Sequence, residues 1–225
     1  MGRRVKTGPV VFLFCIALTA GSCAPMRLCC QPQGVDLLAT GIVGWQQIGG
    51  AQGDWRLENG VLSGRVSSSD ARAGARWMAT VEQYDDFELS LEFRIAPGAD
   101  SGVFVRAPLR GDPTYAGMEI QILDDSTRDW GQLRPNQVCG SIYGVQAPSE
   151  RMGGKAGQWQ ELVIRCRGSR IAVALNGRKV VDADTTFYPY LYETHPGLTR
   201  QRGYIGLQHH SGVEFRNITI EPLGT

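Results

Sequence analysis

The chain has 225 residues and is nearly neutral, with 23 Lys and Arg against 22 Asp and Glu and a formal net charge of +1. Beyond its first segment it has no run of basic residues, so it lacks the basic surface expected of a nucleic-acid-binding protein. We therefore expect no nucleic-acid partner.

Residues 1–23 have the pattern of a secretory signal. Basic residues in the first six positions precede an apolar stretch over 10–18, too short to span a membrane, and small residues at 20–22. Small residues before Cys23 are similar to the lipobox of bacterial lipoproteins, and we expect a lipid anchor on Cys23 as the only membrane contact. Ala20 stands where the lipobox usually has Leu, so ordinary signal-peptidase cleavage is the alternative. Either route places the protein in the periplasm or cell envelope.

A tether over 24–40 and one domain over 41–225 are expected after the signal. The roughly 195 residues beyond the signal are within the range that β-sandwiches fill as a single domain. The cysteines in this part are Cys29, Cys30, Cys139 and Cys166. Export permits disulfides among them, but their spacing leaves the connectivity open and does not indicate a zinc site.

Strand-like runs separated by turn signals fill the domain. Residues 86–95 alternate strictly between apolar and polar side chains, which predicts a strand with one face in the core. Asn59-Gly60 and Asn176-Gly177 each predict a hairpin, because both residue types accept the positive φ of a type I′ turn. Further strands are predicted over 101–106, 116–123, 140–143, 158–166, 203–209 and 213–221. So many short strands without a convincing helix predict an all-β sandwich or barrel.

Two segments, 124–138 and 184–202, lack any strand pattern. Both are longer than the connections that a compact domain normally uses. Loops of this length are usually functional lids or disordered segments, so either could border a site.

Polar side chains recur on one face of the predicted strands. Glu119 and Gln121 alternate with apolar residues and therefore point to the same side of their strand. An edge strand with a solvated face would give the same pattern.

Three other runs carry polar residues of the same kind. Arg106 and Tyr143 each end an apolar run, and Gln208 and His210 share one strand face. Taken singly, they also fit a surface ion pair, a core aromatic residue and a loop histidine. Taken together, a carboxylate, amides, a guanidinium, a phenol and an imidazole predict a sugar-binding concavity.

A succession of motifs resembles the 3-keto-disaccharide hydrolase domain family. The motifs are Asp86-Phe-Glu-Leu, Ser101-Gly-Val-Phe-Val-Arg106, Gly117-Met-Glu-Ile-Gln-Ile-Leu-Asp124, Cys139-Gly-Ser-Ile-Tyr143, Gln158-Trp-Gln, Leu175-Asn-Gly177, Gly206-Leu-Gln-His-His210 and Phe215-Arg-Asn-Ile218. The resemblance runs from about Gly41 to Leu223 and implies an exported bacterial protein with a two-sheet antiparallel jelly roll of the concanavalin A-like lectin and glucanase type. The family more often has a short polar or acidic residue at position 209, which leaves open whether His209 or His210 lies in the pocket.

Laminarinase-type glucanases carry Glu-x-Asp-x-x-Glu on their catalytic strand, where this chain has Glu119, Gln121 and Asp124. Retaining glycosidases need two carboxyl groups about 5–5.5 Å apart. The replaced middle residue and the shortened last one argue against ordinary glycosidase chemistry. We expect instead an enzyme that cleaves 3-keto-glycosides by elimination and hydration.

Elimination from a 3-keto sugar requires a base, a group that polarises the carbonyl and a proton donor. We expect Glu119 to act as the base. Arg106 and Gln121 are expected to orient the sugar and stabilise the enolate oxygen. His210 or Tyr143 is expected to be the acid near the leaving group.

Asp124, Gln208 and His209 complete the expected substrate contacts. No cofactor is expected. A divalent cation bound by Glu119, Asp124 or His210 is the alternative polariser, although no spacing in the chain requires one.

Two other functions fit the same sequence. A non-catalytic carbohydrate-binding module would use the same fold and concavity, and fold alone does not separate it from an enzyme. A structural envelope protein would have polar strand faces that are merely solvated. Co-location of Arg106, Glu119, Tyr143 and His210 in one pocket would distinguish the enzyme and the binding module from the structural protein.

Overall fold

The alternating run at 86–95 forms a central strand of the fold. A computed structural model describes residues 2, 34–64, 76–127, 131–153, 155–210 and 212–224. In the strand Phe87–Ile95, apolar side chains are buried at every second position and half-buried polar ones lie between them. This is the period-two pattern of a strand with one face in the core and one toward solvent.

The strands of the described ranges form two antiparallel sheets, as the predicted jelly-roll sandwich requires. The first sheet contains β1 (Val35–Asp36), β3 (Trp55–Glu58), β4 (Val61–Gly64), β6 (Phe87–Ile95), β9 (Gln160–Arg167), β10 (Arg170–Leu175), β11 (Arg178–Asp184) and β13 (Val213–Pro222). The second contains β2 (Trp45–Ile48), β5 (Trp77–Tyr84), β7 (Asp100–Ala107), β8 (Met118–Leu123) and β12 (Gly203–Gln208).

The strand order is β11-β10-β9-β6-β13-β4-β3 in the eight-stranded sheet, where β1 also pairs with β13, and β2-β5-β12-β7-β8 in the five-stranded sheet. Apolar side chains from both sheets meet in one core, which includes Leu89, Phe93, Val103, Ile120 and Phe215. The all-β jelly-roll prediction is confirmed. The second sheet is the one that matters for the site, because β7, β8 and β12 lie side by side in it.

Both Asn-Gly hairpins are confirmed. Asn59 and Gly60 connect β3 to β4 with φ values of 52° and 76°, and Asn176 and Gly177 connect β10 to β11 with φ values of 50° and 77°. Two successive positive φ values are what a type I′ turn requires.

Two parts of the sequence fold differently from the prediction. Residues 140–143 form a turn in which only Ile142 makes isolated bridges, to Ile120 and Gln146. Val35 pairs with Ile220, so the end of the expected tether belongs to the sandwich. Residues 24–33 of that tether lie outside the described residues, and so do Cys23 and the signal apart from residue 2.

Short helices lie within the two patternless segments, and another precedes β8. Helix α1 (Pro113–Ala116) begins after Asp112, whose side chain caps it. The 3-10 helices are Pro135–Gln137, Thr185–Phe187, Pro189–Leu191 and Pro196–Thr199. None of the helices in the described ranges is long and apolar enough to cross a membrane.

Candidate functional site

A polar cleft of about 170 Å³ lies on the outer face of the five-stranded sheet, beside α1. Its lining residues are Asp100, Asp112, Thr114, Tyr115, Glu119, Gln121, Tyr143, Gln208 and His210. Five of the predicted site residues are therefore brought together: Glu119, Gln121, Tyr143, Gln208 and His210.

Strand register explains why the cleft residues share one face. Gly102 lies opposite Gln121 and Phe104 opposite Glu119 in the antiparallel pair of β7 and β8. Directly opposite residues project to the same side of a sheet, and so do residues two apart along a strand. Asp100 therefore shares this face with Glu119 and Gln121. Val103, which lies between Gly102 and Phe104 on β7, packs into the core instead.

Glu119 is the most strongly perturbed acid of the cleft. Glu119 is only 4% exposed to solvent. Desolvation by burial, followed by the negative charges of Asp100 and Asp112, raises the pKa of Glu119 to about 8, although a hydrogen bond with the Thr114 side chain lowers it. At neutral pH the carboxyl is mostly protonated, so it is able to donate a proton.

Gly102 provides the space in which the Glu119 carboxyl lies. A Cβ atom added to Gly102 would be 2.3 Å from Glu119 Oε1 and within 3 Å of the Glu119 Cγ and Cδ atoms. Any larger residue at this position would force the Glu119 side chain out of its place.

Asp100 is a second cleft carboxyl, held by Gln121. Gln121 Nε2 donates a hydrogen bond of 2.9 Å to Asp100 Oδ1. The pKa of Asp100 is raised, because burial outweighs the charge of His210 and the hydrogen bonds from Gln121 and from the Ser101 backbone, which act in the opposite direction. The negative form of Asp100 thus has partners that favour it.

Gln208 presents a hydrogen-bond acceptor that has no partner among the described residues. Its Oε1 atom is buried, and the Gln208 side chain lines the cleft. Ser101 Oγ donates a 2.8 Å hydrogen bond to the Gln208 carbonyl, which fixes the end of β12 against β7. An unpaired buried acceptor is costly, and a sugar hydroxyl is a donor that would satisfy it.

Aromatic side chains form the wall of the cleft. The Tyr115 ring contacts those of Tyr143 and His195 edge-on, with centroids 6.5 and 5.0 Å away. Gln137 Nε2 donates to the Tyr143 hydroxyl at 3.0 Å. His195 and Gln137 come from the two segments without a strand pattern, so both segments support the site, as their length suggested.

Arg106 does not lie in the cleft, which corrects the prediction that it orients the sugar. Its guanidinium is 1% exposed and donates to the carbonyls of Asp85 and Gly168 at 3.0 and 2.6 Å. It also forms an ion pair with Asp86 at 3.2 Å. These partners belong to turns of the sandwich, so Arg106 holds the two sheets together.

Asp124 and His209 are also turned away from the cleft. Asp124 Oδ2 accepts a 2.8 Å hydrogen bond from the Gly98 backbone, so this carboxylate stabilises a turn. His209 is buried and packs edge-on against Trp55 of the first sheet, at 5.4 Å between ring centroids. Gln208 and His210 point the other way because alternate strand residues face opposite sides. His210, and not His209, is the histidine of the cleft.

Among the described residues, no group of three or more His, Cys, Asp or Glu side chains is arranged to hold a metal ion. Of the cation ligands considered, Glu119, Asp124 or His210, Asp124 does not face the cleft and accepts hydrogen bonds from the Gly98 backbone and the Ser126 hydroxyl.

Four cleft residues were missed by the sequence analysis: Asp100, Asp112, Thr114 and Tyr115. Asp112 followed by Pro113 is a recognisable helix start, with an N-cap residue and Pro at the first helical position. That signal could have placed Thr114 and Tyr115 on a helix before β8. For Asp100 the sequence offered only a weaker indication: it lies two residues before Gly102 and so shares a strand face with it.

The comparisons agree with this fold. A proposed glycosyl hydrolase from Parabacteroides distasonis is 30% identical, with a TM-score of 0.65, and the match covers 80% of this chain and 99% of that chain. A second such protein from the same organism is 22% identical, with a TM-score of 0.70 and coverage of 80% and 89%. A carbohydrate-binding module from Bacillus subtilis is 17% identical, with a TM-score of 0.50 and coverage of 79% and 95%. No curated protein matches the chain.

The match to a family model is decisive for membership. The model of the 3-keto-alpha-glucoside-1,2-lyase-like domain matches residues 39–221, which is most of the chain and includes every residue of the cleft. The resemblance seen in the motifs is thereby confirmed. The chain belongs to the 3-keto-alpha-glucoside-1,2-lyase-like domain family.

Proposed function

We propose that the protein cleaves glycosides of 3-keto sugars by elimination and hydration. The observation that carries this proposal is the buried Glu119 carboxyl in a polar cleft, with a pKa of about 8. A carboxyl with a pKa near neutrality exchanges protons readily in both directions, which suits general acid–base catalysis. Perturbed acids of this kind are concentrated at functional sites.

The ketone makes elimination accessible. A carbonyl at C3 acidifies the proton on C2, so that a base can remove it and the electron pair can expel the glycosidic oxygen from C1. Water then adds across the resulting double bond. The cleft supplies hydrogen-bond donors for the enolate oxygen in Gln121 and Tyr143, as such a step requires.

Ordinary retaining glycosidase chemistry fits less well. Of the three glucanase positions, only Glu119 provides a carboxyl in the cleft, since Gln121 is an amide and Asp124 is held in a turn. The other cleft carboxyls, Asp100 and Asp112, come from outside that motif. The cleft is also smaller than the 300–1,000 Å³ typical of pockets for drug-sized ligands. It suits one sugar ring better than a polysaccharide chain.

The test is an assay of the purified protein on a 3-keto-glucoside and on the matching unoxidised glucoside. We expect turnover of the 3-keto substrate alone. Glu119→Gln should lower kcat by about 10²- to 10⁴-fold with little change in KM, because general acid–base groups act in the transition state. Glu221→Gln is the control, since Glu221 is an exposed residue of β13. Equal turnover of both substrates would contradict the elimination mechanism.

A non-catalytic carbohydrate-binding module is the second candidate. The unpartnered Gln208 Oε1 favours a sugar ligand in either case. Calorimetric titration with the two glucosides separates the candidates: binding without turnover of either would select the module. Export to the periplasm or cell envelope, with a lipid anchor on Cys23, is part of both proposals and rests on the first 23 residues of the sequence.

A further inference from the structure

We infer that Asp100 is the base that removes the C2 proton and that Glu119 is the acid that protonates the departing glycosidic oxygen. This inference rests on the proposed function and assigns to Glu119 the opposite role from the one expected from its sequence. It adds Asp100, which the motif comparison did not single out, to the catalytic residues.

Geometry places the two carboxyls in one cleft on neighbouring strands. Asp100 is on β7 and Glu119 on β8, and strand register puts both on the cleft side. Gln121 lies two residues after Glu119 on the same face of β8, and its Nε2 atom donates a 2.9 Å hydrogen bond to Asp100 Oδ1. The Asp100 carboxyl therefore has a fixed orientation in the cleft before any substrate enters.

Their surroundings separate the two acids. Burial raises the pKa of Asp100, but the charge of His210 and hydrogen bonds from Gln121 and from the Ser101 backbone oppose that effect and favour the ionised form of Asp100. Glu119 is more deeply buried and is opposed by the charges of Asp100 and Asp112. A pair of carboxyls whose environments differ in this way divides into a proton acceptor and a proton donor.

The remaining titratable groups of the cleft are consistent with this division. Tyr115 faces it from α1, Asp112 from the position that caps α1, Tyr143 from the turn at 140–143, and His210 from just beyond the end of β12. Asp112 adds a negative charge that keeps Glu119 protonated. The charges of Asp112 and Glu119 in turn raise the pKa of Tyr115, after the larger effect of burial and that of Tyr143.

Protons and electrons balance over the full reaction. In the elimination, Asp100 takes the C2 proton, the C1–C2 double bond forms, the C1–O bond breaks and Glu119 gives its proton to the departing oxygen. In the hydration, the Glu119 carboxylate takes a proton from a water molecule while the oxygen of that water adds to C1. Asp100 then returns its proton to C2. Both side chains then have their starting protonation states, and no further reactant is needed.

The two roles are distinguished by the leaving group. An alkyl 3-keto-glucoside needs a proton donor for its departing oxygen, whereas a nitrophenyl 3-keto-glucoside has a leaving group acidic enough to depart without one. Asp100→Asn should lose about 10²- to 10⁴-fold in kcat on both substrates, because both need the base. Glu119→Gln should lose a similar factor on the alkyl substrate and less than about tenfold on the nitrophenyl one. Glu221→Gln is again the control.

Further measurements keep the inference open to contradiction. Asp100→Ala with added formate is a second variant, and partial recovery of activity would support a missing carboxylate base. The opposite pattern, with Asp100→Asn rescued by the nitrophenyl leaving group, would overturn the assignment, and so would a folded Asp100→Asn with wild-type rates. A wild type without turnover of either 3-keto substrate would overturn the proposed function and this inference together. Wild-type turnover with an unaffected Asp100→Asn would overturn only the inference.

Discussion

Gly102 fixes the position of the catalytic carboxyl because it leaves room above β7. Gly102→Ala would place a methyl group 2.3 Å from Glu119 Oε1 and less than 3 Å from the Cγ and Cδ atoms of the same side chain. We expect the carboxyl to move by about an ångström and kcat to fall roughly 10²-fold, since displacements of this size cost about that much. Steady-state kinetics on a 3-keto-glucoside would measure the loss.

The control for Gly102→Ala is Gly44→Ala. At Gly44 an added Cβ would meet only the Leu37 carbonyl, at an ordinary 3.9 Å. Circular dichroism should show both variants folded. Wild-type kinetics for Gly102→Ala would mean that the Glu119 carboxyl works equally well from another position.

Single residues of the cleft were predictable where strand alternation continued without interruption. Glu119 and Gln121 on β8, Gln208 at the end of β12 and His210 just beyond it were found in this way. Asp100 was not found because it is the first residue of its strand, where a polar side chain usually belongs to the preceding turn. Its contact with Gln121 becomes visible only when the register of β7 and β8 is known.

A bulge in β7 explains why Arg106 leaves the polar face. Tyr204 lies opposite Ala107 and Gly206 opposite Phe104, so two residues of β7 oppose one residue of β12. Arg106 has a φ of 52° at this point. An extra residue in one strand reverses the alternation beyond it, and neighbouring strands set its position. The sequence of β7 alone could not have revealed the bulge.

The buried role of Arg106 gives a prediction about stability. Arg106→Gln removes the ion pair with Asp86 and most of the hydrogen bonds to the turns, while leaving polar backbone atoms buried. Loss of one partner from a fully buried pair typically costs about 3–5 kcal/mol, and because Asp86 is 25% exposed we expect a smaller loss that chemical denaturation should still detect. The folded variant should keep its kinetics, because Arg106 does not line the cleft.

Arg56→Gln is the matched control for Arg106→Gln. Arg56 forms an ion pair with Glu58 in which both side chains are more than half exposed, at 61% and 62%. Exposed pairs contribute about 0–1 kcal/mol, so little change is expected. A stable Arg106→Gln variant that has lost activity would place Arg106 in the substrate site after all.

The whole molecule assembles a site from parts that are far apart in sequence. The floor comes from three strands between residues 100 and 208, and alternation and motif order made those strands predictable. The wall comes from α1, the turn at 140–143 and the segment that carries His195. These parts have no period of their own and take their shape from packing against the sheet, so sequence patterns could not specify them.

Burial of Glu119 links the stability of the whole domain to pH. The pKa of Glu119 is about 8 in the folded protein, against an ordinary value of 4.5 that the unfolded chain is expected to have. Between these two pH values the folded state binds a proton that the unfolded state has released. Stability must therefore fall as pH rises from 4.5 toward 8, by an amount on the order of 5 kcal/mol from this group. Below pH 4.5 both states are protonated, and above pH 8 both are ionised, so the effect is confined to this interval.

Glu119→Gln should remove this dependence, because glutamine imitates the protonated carboxyl at every pH. Urea denaturation across the interval should show the variant near wild-type stability at the acidic end and more stable than wild type at the alkaline end. Asp182→Asn provides the contrast: hydrogen bonds from Arg170 and Lys179 lower the pKa of Asp182 to about 2, so this group is ionised in the folded state throughout the interval. Above about pH 5 it is ionised in the unfolded state as well, and its removal should change stability by a constant amount there. Parallel stability curves for Glu119→Gln and the wild type would mean that Glu119 is ionised in the folded protein at neutral pH, and the assignment of Glu119 as the proton donor would fail with it.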